Sequence, residues 1–364
     1  MGANVMNAFR SRHEERYRDA AVGDGLGRER SPSRLLGRNA ALLGAGAALA
    51  AAAVYVQMRT REAENTNPPA GRFIEVEGVR LHYLERGQGQ PLVLLHGNGS
   101  MIQDFETSGL IEEAAKHYRV IAFDRPGYGY STRPRSTIWG PQAQAELLHH
   151  ALHLMGISRP IVVGHSWGAM VAATMALDYP GAVKGLVLMS GYYYPTARLD
   201  VPFASQPAIP LIGDLLRYTV SPLLSRMMWP AVLRKLFGPK EVPERFAREY
   251  SVWMTLRPSQ LRAAAAEAAL MIPAAFSLRN RYRELDVPVA IVTGSSDRQV
   301  SSRFQSERLH DEVRRSTLHV ATGVGHMVHH FAQGEILSAI EEVGKELPQR
   351  QAVPRIHAQR IPLH

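Results

Sequence analysis

The segment Gly164-His165-Ser166-Trp167-Gly168 carries the strongest chemical signal in the sequence. It follows the apolar run PIVV and precedes an apolar helical pattern, WGAMVAATMALDYP. A G-x-S-x-G pattern between a strand and a helix predicts a sharp turn that exposes the serine hydroxyl, because the glycines let the strand and the helix approach closely. The sequence therefore predicts Ser166 as a nucleophile.

A serine nucleophile needs a general base, and the base needs a carboxylate that orients it. For a nucleophile in this kind of turn, the expected chain order is serine, acid, histidine. The apolar run PVAIVTG leads into Asp297, and the run STLHVATG leads into His326. Either residue alone is typical of a surface loop, but their order and their places after successive strands favour catalysis. We therefore predict His326 as the base and Asp297 as its partner.

Attack of a hydroxyl on a carbonyl creates an oxyanion, which N–H groups must stabilise. We expect one donor to be the backbone N–H of Trp167, the residue after the nucleophile. The turn HGNGS at residues 96–100, which follows the run PLVLL, is expected to supply the other from the backbone N–H of Asn98. The Asn98 side chain has two interpretations, as an additional donor or as a group that shapes the turn.

Short apolar runs alternate with helical patterns from Arg72 onward. Runs that are apolar on both faces indicate a buried parallel sheet. The alternation predicts an α/β fold with a doubly wound, mostly parallel sheet, which begins with a hairpin around Glu77-Gly78. We assign residues 72–191 and 285–347 to this core. Residues 192–284 show helical patterns only, and they predict a helical insertion.

The motifs LHGNG, DRPGYGYS, GHSWG, GSSD and VGH occur in an order and at a spacing that resemble the capped α/β-hydrolases, over about residues 72–347. The resemblance implies that residues 192–284 form the cap and that the substrate lies between the cap and the sheet. Related haloalkane dehalogenases and epoxide hydrolases have an aspartate nucleophile where this chain has Ser166. The resemblance therefore disfavours those two activities.

The predicted cap is rich in apolar side chains that are candidates for the substrate pocket. We expect His165, beside the nucleophile, and Trp229 and Trp253, in the cap, to line this pocket. The alternative for the two tryptophans is a small core within the cap itself. An apolar lining favours a small-to-medium hydrophobic ester as the small-molecule substrate.

Together these residues predict hydrolysis of a carboxylic ester through an acyl-enzyme on Ser166, without a metal or organic cofactor. The same triad also serves carbon–carbon bond hydrolysis, aminopeptidase-type cleavage and cofactor-free perhydrolysis, and the sequence does not separate these reactions. A non-catalytic ligand-binding module of the same fold is a further alternative, which the intact Ser–Asp–His set disfavours. The oligomeric state is left open.

Composition limits the other partners. The chain has 42 Lys+Arg and 33 Asp+Glu, a formal net charge of +9, and two thirds of this surplus lies in residues 1–71 and 348–364. No dense basic stripe with interleaved aromatic residues occurs, so we do not expect nucleic acid as a partner. The absence of cysteine excludes disulfides and thiolate metal sites.

The N-terminal region differs from the rest of the chain in character. Residues 1–38 are polar and rich in arginine, and they predict a disordered basic arm. Residues 39–58 include an uncharged run of seventeen residues, AALLGAGAALAAAAVYV, which spans about 26 Å as a helix. We predict a membrane anchor here, followed by a linker at residues 59–71. Residues 348–364 are assigned to a basic tail.

The flanking charges predict the orientation of this anchor. Arginines before the apolar run outnumber those directly after it, which favours the N-terminus on the cytoplasmic side of the membrane and the rest of the chain on the other side. Only five of the 42 basic residues are lysine, a composition that suggests a bacterial source. The prediction is then a single-pass protein of the bacterial inner membrane with a periplasmic catalytic domain. The alternatives are an exported soluble protein after signal cleavage and a cytoplasmic protein with a soluble alanine-rich helix.

Overall fold

The computed structural model describes residues 32–198 and 201–345, and an eight-stranded sheet lies at its centre. The strand order is β1-β2-β4-β3-β5-β6-β7-β8. β2 pairs antiparallel with both β1 and β4, and all other neighbours are parallel. The predicted α/β fold with a mostly parallel sheet is therefore confirmed. The strands are Arg72–Val76 (β1), Val79–Arg86 (β2), Gln90–Leu95 (β3), Tyr118–Phe123 (β4), Ile161–His165 (β5), Gly185–Met189 (β6), Val289–Gly294 (β7) and Ser316–Ala321 (β8).

Helices fill the connections between the strands. Those of the core are Ile102–Ser108 (α2), Leu110–Ala114 (α3), Pro141–Leu154 (α4), Trp167–Asp178 (α5), Arg308–Glu312 (α12) and Gln333–Gly344 (α13). A long helix, Pro32–Thr66 (α1), precedes the first strand. Between β6 and β7 lie Val201–Ala204 (α6), Ile212–Tyr218 (α7), Val220–Phe237 (α8), Glu244–Glu249 (α9), Val252–Thr255 (α10) and Pro258–Leu278 (α11), in the interval that we predicted as a helical insertion.

The central strands bring the predicted site residues to one edge of the sheet. Every residue of β5, β6 and β7 is buried, which explains why their sequences are apolar on both faces. Ser166 follows β5 directly, Asp297 follows β7 and His326 follows β8. Because these three strands are parallel, their carboxyl ends lie at the same edge, where ligands bind in open α/β sheets.

Two helices in the described residues are long and apolar enough to cross a membrane, judged by length and composition. One covers Asn39–Thr66 within α1, and only 6% of its most apolar window is buried. The other is α11, which belongs to the cap and holds the fully buried Glu267. A buried carboxylate with protein partners marks α11 as a helix of the folded domain, which leaves α1 as the candidate membrane segment.

The linker that we predicted at residues 59–71 is helical over its first part, because α1 continues to Thr66. Arg59 pairs with Glu62 one turn later, and Ala63 is buried in a cluster with cap residues. Charged residues that are good helix formers, together with this burial, extend the helix past the apolar run. Residues 32–38 of the predicted arm are also helical, whereas residues 1–31 and the predicted tail, 348–364, lie outside the described residues.

Gly168 lies where α5 crosses the end of β3, and a Cβ there would overlap the carbonyl oxygens of Leu95 and His96. We expect Gly168→Ala to lower the free energy of unfolding by about 2–4 kcal/mol, because only the sheet backbone can relieve the overlap. Denaturant unfolding followed by circular dichroism measures this loss. The matched variant Gly334→Ala, in α13 where a Cβ meets nothing within 4 Å, should be neutral or stabilising. Equal stability of the two variants would contradict the prediction.

Candidate active site

Ser166 occupies a strained turn between β5 and α5. Its backbone has φ 53° and ψ −114°, a conformation that residues other than glycine rarely adopt. The Ser166 N–H donates to the carbonyl oxygen of Met189 in β6 at 2.8 Å, which fixes the turn to the sheet. Gly164 has no room for a Cβ, because the backbone of Gly168 and Ala169 passes beside it. This is the geometry that the G-x-S-x-G pattern predicts.

His326 and Asp297 form a buried pair beside this turn. The His326 Nδ1 lies 2.7 Å from Asp297 Oδ2, and the two side chains are 4% and 0% exposed. The other oxygen of Asp297 accepts the backbone N–H groups of Gln299 (2.7 Å) and Val300 (2.9 Å). An ionised carboxylate held in this way assigns the imidazole proton to Nδ1, which leaves Nε2 of His326 as the basic nitrogen.

A cavity of about 370 Å³ lies between the cap and the carboxyl ends of the strands, and it brings most of the predicted site residues together. Ser166, His326 and Asn98 all line it, as do the predicted pocket residues His165 and Trp229. Most of the remaining lining is apolar and comes from the cap, including Met228, Val232, Leu236, Leu256, Leu261, Ala264, Ala268 and Met271. The site is therefore an apolar chamber with its polar groups at the sheet edge.

The predicted oxyanion donors lie at this same edge. Trp167 is the first residue of α5, so its N–H has no carbonyl partner within the helix. Asn98 lines the cavity in the turn after β3. Its Oδ1 lies 2.8 Å from the Tyr128 hydroxyl oxygen, and its amide group donates to the carbonyl oxygen of Ala264 in α11 at 3.2 Å. These contacts favour the interpretation in which the Asn98 side chain shapes the turn.

The His96 imidazole holds the start of this turn. Its Nδ1 donates to the carbonyl oxygen of Gly97 at 2.8 Å, and its Nε2 accepts the Arg125 N–H at 3.0 Å. Burial, followed by the positive charge of Arg125, lowers the pKa of His96 to about 4. A neutral imidazole is what this arrangement requires, because one nitrogen must donate while the other accepts.

A fully buried ion pair connects the turn at residues 96–100 to the cap. Arg125 donates to Glu267 of α11 at 2.5 Å and 3.1 Å, and neither side chain is exposed. The same guanidinium donates to the carbonyl oxygens of His96 (2.8 Å) and Gly97 (2.9 Å). Burial acts to raise the pKa of Glu267, but Arg125 outweighs it and holds that pKa below its usual range. Arg125 belongs to the motif DRPGYGYS, but neither residue was predicted to form a buried ion pair.

A second buried polar cluster lies behind His165. Asp104 Oδ1 is 3.1 Å from His329 Nε2 and 2.8 Å from His330 Nε2, and among the described residues this is the one group with the types and spacing to hold a metal ion. Metal-bound imidazoles normally donate their second N–H to an acceptor, whereas the buried Nδ1 atoms of both histidines have no partner. The cluster therefore fits an Asp–His network better than a metal centre. Burial acts to raise the pKa of Asp104, but the two histidines outweigh it and hold that pKa well below the usual range.

The position of Trp253 corrects one prediction. Its ring does not line the cavity with Trp229 but packs against α1, with its centroid 5.9 Å from that of Tyr55 and 5.3 Å from the Arg59 guanidinium. Trp253 lies on α10, and the helical extension of α1 covers it there. Trp229, on α8, lines the cavity and also stacks on Tyr250, so it serves the pocket and the cap core together.

The low pKa of His96 predicts a loss of stability in weak acid. The unfolded chain has a histidine pKa of about 6.5, so it binds more protons than the folded protein between pH 6.5 and pH 4. Neutral His96 makes its full contribution to the free energy of unfolding above pH 6.5. This contribution decreases as the pH falls, by about 2 kcal/mol at pH 5. His165 and His330, whose pKa values burial also lowers, add to the loss.

Urea unfolding at pH 7, 6 and 5 measures this change, with His96→Asn as the variant and His153→Gln, at an exposed position of α4, as the control. The pH dependence should be shallower in His96→Asn and unchanged in His153→Gln. A wild-type free energy of unfolding that is the same at pH 7 and pH 5 would contradict the prediction.

Comparisons with known proteins agree with this architecture. A family model described as alpha/beta hydrolase fold matches residues 90–333. The 2-hydroxy-6-oxo-2,4-heptadienoate hydrolase of Pseudomonas putida is 27% identical over 274 residues, which cover 72% of this chain and 92% of that protein. The 2-hydroxymuconate semialdehyde hydrolase of a Pseudomonas species is 29% identical over 274 residues, 72% of this chain and 90% of that protein.

Solved structures show the same fold at lower sequence identity. The enol-lactonase from Burkholderia xenovorans superposes with a TM-score of 0.61 at 17% identity, covering 76% of this chain and all of that one. The family match spans the nucleophile turn and the His326 loop, and the named relatives are hydrolases. The chain therefore belongs to the α/β-hydrolase fold family and is a hydrolase.

Proposed function

We propose that this enzyme hydrolyses a small carbonyl substrate through an acyl-enzyme on Ser166. The observation that carries the proposal is the shared cavity of Ser166, at its strained turn, and His326, whose Nδ1 is held by Asp297. A nucleophile, a base and a carboxylate that orients the base are the parts that this chemistry needs.

The geometry supports the following sequence of steps. Ser166 Oγ attacks the carbonyl carbon while His326 Nε2 takes the hydroxyl proton, and Asp297 stabilises the imidazolium that results. The N–H groups of Asn98 and Trp167 receive the negative charge on the carbonyl oxygen. His326 then gives the proton to the leaving group, and a water molecule, activated by the same base, releases the acid from Ser166.

Two substrate classes have specific support. The apolar cap lining favours a small-to-medium hydrophobic carboxylic ester, our first candidate. The second candidate is carbon–carbon bond hydrolysis, because relatives named for oxo-dienoate and muconate semialdehyde substrates cover most of the chain. Arg198 also lines the cavity, and a guanidinium there suits the carboxylate that such substrates carry.

The first measurement is covalent labelling of the purified full chain with a fluorophosphonate probe. Wild type should be labelled and Ser166→Ala should not, with turnover reduced by about 10⁴-fold or more in the variant. Ser306→Ala is the matched control, because Ser306 is buried but does not line the cavity, and this variant should be labelled normally. Unlabelled wild type, or equal turnover by Ser166→Ala, would overturn the proposal.

The same preparations decide between the two substrate classes. p-Nitrophenyl esters of graded acyl length test the first, and 2-hydroxy-6-oxohepta-2,4-dienoate tests the second. If the second class is correct, Arg198→Gln raises KM for the dienoate by about tenfold or more, the loss expected for one charge-assisted contact, and leaves ester hydrolysis unchanged. Turnover of esters alone, with no effect of Arg198→Gln, selects the first class.

We also propose that the apolar part of α1 anchors the enzyme in the bacterial inner membrane, with the catalytic domain in the periplasm. Its length, hydropathy and low burial support an anchor, and the arginines before it support this orientation. Alkaline carbonate washing of membranes that contain the full chain should leave the protein in the pellet, and protease added to spheroplasts should digest the catalytic domain. Recovery of the full-length chain in the soluble fraction would contradict the anchor.

A further inference from the structure

The outer side of the cap carries a set of large apolar side chains that face solvent. We call this set the apolar cap surface, and Leu211 (82% exposed) and Met227 (73% exposed) are among its most exposed members. The helices that carry it, α6, α7 and α8, all pack on α11, so they form one layer of the cap. The surface comprises Phe203, Leu211, Ile212, Leu215, Leu224, Met227 and Met228.

Seven large apolar side chains are exposed within one layer of the cap, rather than scattered singly over the surface. Removal of a large aliphatic or aromatic side chain from water is favourable, so seven such groups in one layer represent a substantial driving force for association. Single exposed apolar residues need no explanation, whereas large patches mark interaction surfaces. The apolar cap surface therefore needs a partner that is itself apolar.

The charges around this surface restrict the chemistry of the partner. Within residues 201–237 the acidic residue is Asp214, which pairs with Arg135 and Arg217. The basic residues Arg234 and Lys235 of α8 are exposed. Arg226 is also exposed, but it lies on the side of α8 that faces α1, beside Arg59 and Glu62. Apolar side chains among exposed cations are typical of protein surfaces that lie in the headgroup region of an anionic bilayer.

The membrane anchor proposed above, on which this step rests, would also bring a bilayer to the end of α1 that contacts the cap. The apolar run in α1 ends beside α10, where Tyr55 and Arg59 contact Trp253. Farther along α1, Glu64 pairs with Arg257 at 3.0 Å, so residues 52–66 are fixed to the cap by both apolar and ionic contacts. A second copy of the chain would have to pair cationic surfaces with each other, which is unfavourable.

We propose that the apolar cap surface docks on an anionic lipid bilayer, as a second membrane contact separate from the α1 anchor. The helices of this surface also line the active-site cavity, through Val201, Ala204, Met228 and Val232. Docking by this surface therefore places the cap side of the cavity at the lipid headgroups.

The absence of cysteine from the chain allows a direct test. Met227→Cys in the full chain introduces one labelling site on the apolar cap surface for an environment-sensitive nitrobenzoxadiazole dye. Leu154→Cys is the matched control, because Leu154 is a similarly exposed apolar residue (63%) at the end of α4, on the α/β domain and away from the cap. Both proteins are reconstituted into vesicles of phosphatidylcholine and phosphatidylglycerol in equal amounts.

The dye at position 227 should shift its emission to the blue, lose most of its quenching by aqueous iodide and gain quenching by spin-labelled lipid. The dye at position 154 should show none of these changes. Arg234→Gln combined with Lys235→Gln, in the Met227→Cys background, should restore much of the iodide quenching, as should vesicles of phosphatidylcholine alone.

Equal iodide quenching at positions 227 and 154 in anionic vesicles would overturn the proposal. Protection at position 227 that depends on protein concentration, without quenching by spin-labelled lipid, would also overturn it in favour of a second copy. Neither readout uses turnover, so the outcome is independent of the reaction proposed for Ser166.

Discussion

The Arg125–Glu267 ion pair is the constraint on which the geometry of the site depends. Burial of two charges without exposure to water is costly, and it is tolerated only where geometry and additional hydrogen bonds compensate. Here Glu267 also accepts the Tyr128 hydroxyl at 2.7 Å and the Gln144 side-chain amide at 2.9 Å. Arg125 uses its remaining donors on Gln144 Oε1 and on the carbonyl oxygens of His96 and Gly97. Loss of either partner would leave an uncompensated charge beneath the catalytic chamber.

Because Glu267 lies on α11, the pair also sets the position of the cap. Two further side chains of the cap reinforce this contact, since Gln260 accepts the Gly129 N–H at 3.0 Å and Arg257 donates to the Gly129 carbonyl oxygen. The inner end of the cap is thus held by directional polar bonds to loops of the core. Its outer layer, formed by α6 to α8, has no comparable set of buried ion pairs among the described residues, and Asp214 there is partly exposed. Movement of the cap is expected in this outer layer rather than in α11.

The sequence was sufficient to predict the parts of the site that short motifs encode. Ser166, Asp297 and His326 each follow an apolar strand, and parallel pairing alone brings strand ends together. Glu267 was not predicted because its partner lies 142 residues away, although one acid within the run AAAAEAAL is a signal of buried pairing. The prediction that Trp253 lines the pocket was wrong. A large apolar side chain in the cap fits a pocket lining, and only the contact with α1 shows which side of the cap Trp253 covers.

The contact between α1 and the cap joins the residues before the first strand to the catalytic domain. The family match begins at residue 90, so residues 52–66 lie outside it, yet they pack on a segment of the cap that lies within it. The Tyr130 hydroxyl donates to the Asn67 carbonyl oxygen, and Asn67 donates to Ser251 Oγ at 3.1 Å, which connects α1, the core loop and the cap at one point. Residues 52–66 are therefore a structural part of the catalytic domain.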